Sequence, residues 1–182
     1  ADSGIPSGPP GFIDPSDDAV STYRRTFDVP AEWSTQRIVL HFGSVGSAVS
    51  VWLNGVEVGY SEGSKVPTEF DVSELVRSSA NVLAVRVWRW SDGSYLEDVD
   101  QLRMSGIDRD VLLIATPQVW LQDLFVQSGF ESTTGTGRLD TEVKFVNAIQ
   151  ADAQVTLEGE LIAPDGSLVQ RWEESVLVRP DT

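Results

Sequence analysis

The chain has no cysteine, a single histidine and a single methionine. Without thiols there is neither a disulfide framework nor a thiolate metal site. With His41 alone there is no multi-histidine zinc centre. His41 sits inside an alternating stretch, RIVLHF, so it reads as a satisfied or solvent-facing strand residue. The missing cysteines fit a reducing compartment, and the expected location is cytoplasmic, with secretion left open because a cleaved leader leaves no trace. No apolar run approaches the roughly 20 residues that span a bilayer, and no basic n-region precedes an apolar stretch. Positive charge is also scarce. Thirteen Lys and Arg face 28 Asp and Glu, a formal net charge of −15, so nucleic acid and anionic membranes are not expected as partners. The acidity reads first as solubility, including in salty surroundings, and second as carboxylates available to cations or sugar hydroxyls. No internal repeat and no long amphipathic helix is present.

What remains is an all-β pattern in 182 residues, 41% hydrophobic and 23% charged, enough for one β domain or one and a half. Residues 1–19 form an arm rich in Pro, Gly and Asp, and its prolines cannot donate to a sheet ladder. Strands are predicted over Val20–Asp28, Arg37–Phe42 and Asn81–Trp90, with another over Asp110–Ala115. Ala48–Tyr60 carries Asn54-Gly55 between alternating apolar residues. Both residues accept the positive φ of a type I′ turn, so this is a hairpin. In Phe70–Val76, Asp71 stands three residues before Glu74, which predicts one short helical turn with a capping-box start. Beyond Pro117 come four period-two segments, Val119–Gln127, Leu139–Asn147, Gln154–Ile162 and Leu168–Val178, separated by turn residues. Four strands are fewer than the seven or so of an immunoglobulin-like sandwich.

The stretch Trp88–Val111 breaks this alternation. It carries Asp92, Glu97, Asp98, Asp100, Asp108 and Asp110, three arginines, and the aromatic anchors Trp90 and Tyr95. Loops of this length inside compact domains are usually functional or disordered, and the aromatics and paired charges argue for order. Glu97 and Asp98 are neighbours on extended chain and point apart. They read as partners for N–H groups or cations within the loop. Asn54 and Gly55 read as turn-makers only.

Three stretches resemble a known family: TYRRTFDVP, Val51–Val76 (VWLNGVEVGYSEGSKVPTEFDVSELV) and Asn81–Val111, which contains WSDGSYLED, RMSGI and RDV. They are similar to the N-terminal sugar-binding domain of family-two glycoside hydrolases, of the large bacterial β-galactosidase type. The resemblance implies a galactose-binding-like jelly-roll β-sandwich over 20–116, then a partial immunoglobulin-like β-sandwich over 117–182. It implies that hydrolysis of terminal β-D-galactosides belongs to a (β/α)₈ barrel carrying two glutamates, which this sequence does not contain. The chain is thus expected to be an inactive N-terminal fragment supporting that barrel, with no catalytic residue and no cofactor of its own. Sodium, with magnesium as a second candidate, is implied for the full-length parent. The expected partners are the missing barrel, a galactoside in the context of the full enzyme, and a second copy of the chain.

In the family an aspartate of the acidic loop contacts galactosyl hydroxyls and helps hold the sodium, and the EDVDQLRMSG run places that role on Asp100. The residues alone leave a second reading, in which Asp100 pairs with Arg103 or Arg109. A further family contact, an asparagine of an Asn-Pro-Thr-Gly run, falls on Asp18. Here the amide, the proline and the glycine are all replaced, so Asp18 accepts from a hydroxyl but cannot donate to one. Two alternatives come from other classes: a free-standing carbohydrate-binding module, and a structural or oligomerisation domain.

Overall fold

The computed structural model describes residues 18–97 and 104–180. The arm over 1–17, together with Asp98, Asp100 and Arg103, lies outside the described residues. The chain divides into two compact units, Ala1–Ala115 and Thr116–Thr182, and each is described by itself.

The first unit is a two-layer β structure. Its larger sheet has the order β1 (Val20–Phe27), β7 (Asn81–Trp88), β4 (Ala48–Leu53), β5 (Val56–Glu62), and its neighbours run antiparallel. The second has the order β6 (Thr68–Asp71), β2 (Arg37–Phe42), β9 (Val111–Thr116). A two-residue ladder joins β3 (Val45–Gly46) to β8 (Gly106–Ile107). Among the described residues there is no α-helix, only 3₁₀ turns at Ala31–Trp33 and Asp92–Tyr95. The period-two alternation explains the layers. In β7, Asn81, Leu83, Val85 and Val87 are buried while Val82, Ala84, Arg86 and Trp88 face outward. Leu40 and Phe42 of β2 meet Val49, Val51 and Leu53 of β4 and the inward residues of β7 in one core. Phe42 also meets Phe70 edge to face at 6.1 Å.

Two details add to the sequence expectation. Phe70 and Asp71 belong to strand β6, paired with Leu40 and Val39, and the predicted helical turn follows at once, with Leu75 N and Val76 N donating to Val72 O at 2.9 and 3.0 Å. Asp71 ends the strand and caps this turn, its Oδ1 accepting from Ser73 N at 3.1 Å. Asn54 is more than a turn-maker. It does take φ 54° with Gly55 at 85°, but its side chain also donates to Leu75 O at 2.8 Å and to Asn81 Oδ1 at 3.0 Å, and accepts from Val82 N at 2.9 Å. Asn81 itself is fully buried. It accepts from Arg77 N at 2.8 Å and donates to Arg77 O at 2.6 Å and Phe27 O at 3.4 Å. One amide thus ties β1, the 72–80 turn and the hairpin end together. His41 Nδ1 lies 2.8 Å from Glu69 Oε1, directly across the β2–β6 ladder.

Asp71 is paired with Arg37 at 2.8 Å. Burial alone would raise its pKa, but the bonds from Ser73 and the Arg37 guanidinium outweigh that and hold the carboxyl below its ordinary value. A carboxyl depressed in the folded state adds stability above its unfolded pKa, and that stability is lost as pH falls through the folded value. The melting temperature of Asp71→Asn is therefore expected to lie below that of the native chain at pH 7, with the gap closing as pH falls below about 4. Thermal melts at pH 7 and pH 3 check this. A gap that stays constant would mean that Asp71 acts by something other than its charge.

The second unit consists of two long hairpins. β10 (Val119–Glu131) pairs with β11 (Thr136–Asn147), and β12 (Ala153–Ile162) pairs with β13 (Leu168–Val178). Buried Asn147 donates to Ala151 O and Val178 O, each at 2.9 Å, and so holds the strand ends of both hairpins. Each hairpin has one polar and one apolar face. Leu124, Val126, Phe130 and Leu139 share a face of the first hairpin and stay exposed, Phe130 at 73%. An apolar face of this kind promotes association. Sedimentation velocity is expected to show self-association that grows with concentration and is relieved by Leu124→Ser with Phe130→Ser. A strictly monomeric native chain across the micromolar range would contradict this.

Candidate functional site

The described parts of the acidic stretch, residues 88–97 and 104–111, are held by contacts with the neighbouring strands and turns. Ser47 N donates to Trp88 O at 3.0 Å as β7 ends. Trp90 then buries its indole, 8% exposed, with the Arg89 guanidinium 5.0 Å from its ring centre. Ser94 Oγ accepts from Ser91 N at 3.0 Å, which closes the short 3₁₀ turn. Glu97 Oε1 accepts from Ser64 N at 2.9 Å, so the sequence reading named the right kind of bond but placed it too locally. The donor belongs to the β5–β6 connection. Lys65 of the same connection forms an ion pair with Asp108, and this ammonium, hydrogen-bonded to the carboxylate, holds Asp108 below its ordinary pKa. Gly43 N donates to Asp110 O at 2.9 Å. Gly106, at φ +128°, takes a backbone form that suits glycine as it pairs with Gly46.

Asp18 is brought to the same place. Its Oδ1 accepts from Trp90 N at 3.1 Å across 72 residues of sequence, and Arg89 N donates to Ala19 O at 3.0 Å one step earlier. The segment entering β1 is thus stitched to the base of the acidic loop. Asp100 lies outside the described residues, as does Arg103. Tyr60 stands on β5, where burial first, then its hydrogen bond to Glu62, pushes the phenol pKa up. Among the described residues no three His, Asp or Glu side chains gather as a metal cluster. The anchoring by Ser64 and Lys65 had no local sequence signal, because its partners lie 33 and 43 residues apart.

A β scaffold with one long acidic connection, anchored on both described flanks, has the layout in which binding residues are often carried on loops. The family described as "Glycosyl hydrolases family 2, sugar binding domain" matches residues 9–117, and the chain belongs to it. It is 43% identical over 145 residues to a β-galactosidase of Priestia megaterium (strain DSM 319 / IMG 1521), covering 80% of this chain and 14% of that protein. It is 40% identical over 179 residues to a β-galactosidase of Arthrobacter sp. (strain B7), covering 97% of this chain and 16% of that one. The chain thus spans about one-sixth or less of these relatives' length. In fold it is similar to a Bacteroides uniformis β-glucuronidase, with a TM-score of 0.78 at 23% identity over 90% of this chain and 20% of that one. It is also similar to a glycosyl hydrolase family 2 member from Bacteroides cellulosilyticus DSM 14838, with a TM-score of 0.72 at 21% identity over 88% and 22%. The all-β fold and the family membership therefore agree with the expectation from sequence.

Proposed function

We propose that this chain is the N-terminal, non-catalytic part of a β-galactosidase, and that its 88–111 loop completes a galactoside site built mainly by a separate catalytic domain. Asp100 and Asp18 are the substrate contacts in this reading. One observation carries it: Asp18 is hydrogen-bonded to Trp90, so the segment entering β1 and the base of the loop whose sequence includes Asp100 meet at one end of one sheet. A carboxylate offers several acceptor positions to vicinal hydroxyls. Asp18 uses Oδ1 for Trp90 N, and its second oxygen has no hydrogen bond to a described residue. The relatives named above are β-galactosidases, and the chain by itself hydrolyses nothing in this account.

Sodium, if held, is held at Asp100. One or two carboxylates are a minority of the six or more oxygens that hard cations commonly take, so the remaining ligands come from the catalytic domain, which this reading also makes the chief partner. The location that goes with it is cytoplasmic. Calorimetric titration of the 182-residue chain with galactose, lactose and cellobiose is expected to show no saturable binding below about 10 mM. Millimolar or tighter binding of galactose would favour a free-standing carbohydrate-binding module.

A further inference from the structure

The outer face of the β1-β7-β4-β5 sheet has a second set of recognition groups on β1, β7 and β4, two strands from the Tyr60 and Glu62 pair of β5 that Asp18 and Asp92 face. Register places Arg24, Ala84 and Trp52 in one row across three strands, with Thr22 and Arg86 in the next. Ala84 is the short residue of its row. The side chains on either side rise above it, two strand spacings apart, which is about 10 Å, and enclose a depression of about 310 Å³. Arg86 closes one end. Its guanidinium lies 5.6 Å from the ring centre of Trp52 and 5.3 Å from that of Trp88, so two indoles hold it in place. Neither Arg24 nor Arg86 has an ion pair or hydrogen bond to any described residue, in a chain with 28 carboxylates. The carboxylate that register places beside Trp52 is Glu57, on the far side of the indole from Ala84.

Two guanidiniums diagonal to each other on one sheet face repel when nothing lies between them. A guanidinium already fixed by aromatic stacking loses little freedom when it binds a planar carboxylate, and its fork matches that shape. The width of the slot suits one pyranose, the indole offers an apolar flank to its C–H face, and Thr22 adds a hydroxyl. We infer that this depression binds a carboxylate-bearing monosaccharide, with the acid group between Arg24 and Arg86 and the ring over Ala84 against Trp52. The site is independent of the proposed role of Asp18 and Asp100, whose carboxylates would repel such a ligand.

The test is titration of the ¹⁵N-labelled chain with D-galacturonate, D-galactose and acetate, followed by calorimetry and by amide shifts. Galacturonate is expected to bind saturably and to move the amides of Thr22, Arg24, Ala84 and Arg86. Galactose, lacking the acid, and acetate, lacking the ring, are each expected to bind at least about tenfold more weakly. Arg86→Gln should weaken galacturonate by about tenfold or more. Ala84→Leu should abolish binding by filling the floor while leaving every charge in place. Equal binding of galactose or of acetate would overturn the inference. So would unchanged binding in a folded Ala84→Leu chain, shifts confined to other strands, or no saturation by galacturonate below about 10 mM.

Discussion

Asn81→Leu is expected to destabilise the first unit by about 3 kcal/mol or more. The buried amide has hydrogen bonds to Arg77 N, Arg77 O, Phe27 O and Asn54 Nδ2. Leucine matches the volume but has no polar atom, so the Arg77 N–H and the Asn54 amide lose a partner in the interior. Each buried group left unpaired costs about 1–3 kcal/mol, and at least two are affected. For a unit of about 100 residues, roughly 4–8 °C accompanies each kcal/mol, so the melting temperature should fall by roughly 15 °C. Asn54→Gly keeps the positive-φ turn but removes three side-chain bonds at the same junction. It is expected to fall short of the Asn81 effect, since Asn54 is only partly buried. Differential scanning calorimetry separates the two. A drop below about 5 °C for Asn81→Leu would mean that water replaces the lost partners.

The second large effect concerns function. In a β-galactosidase carrying this domain, Asp100→Asn is expected to lower kcat/KM for a galactoside on the order of 10²-fold. The estimate follows from two charge-assisted hydrogen bonds to substrate hydroxyls, each at the lower end of about 1.5–3 kcal/mol, with tenfold per 1.4 kcal/mol. Asp18→Asn is expected to cost less. Its Oδ1 already accepts from Trp90 N, a bond that the amide oxygen of asparagine retains. If Asp100 instead serves the loop as a scaffold, the substitution should lower stability and leave kcat/KM within about twofold. Steady-state kinetics read alongside a thermal melt distinguish these outcomes.

Strand positions were legible in the sequence because inward and outward residues differ in kind. RIVLHF is strand Arg37–Phe42, and the Asn54-Gly55 turn has the positive φ its residues permit. Exposed hairpin ends were not legible. β10 and β11 run on through Ser128–Glu131 and Thr136–Arg138, where solvent on both faces removes the need to alternate. The capped turn after Asp71 was legible from its local pattern, but the pairing of Phe70 and Asp71 with β2 was not, because sequence does not display a cross-strand partner. The loop was recognisable by its length, acids and aromatics. Its anchoring was not, since Ser64 and Lys65 reach it through tertiary contact. Nor did Asn81 stand out, because an asparagine opening a strand looks ordinary until its four partners converge. Arg24 and Arg86 fall in two segments that the sequence reads as strands, but only the register brings them to one side of Trp52.

The most direct measurement of the loop's role is a cycle between Asp100→Asn and a series of monodeoxygalactosides in the enzyme that carries this domain. If the Asp100 carboxylate accepts from galactosyl hydroxyls, at least one monodeoxy substrate should lose about tenfold less kcat/KM on Asp100→Asn than the parent galactoside does, because one of the contacts is already missing from that substrate. An equal loss for every member of the series would contradict the account and return Asp100 to the scaffold of the loop.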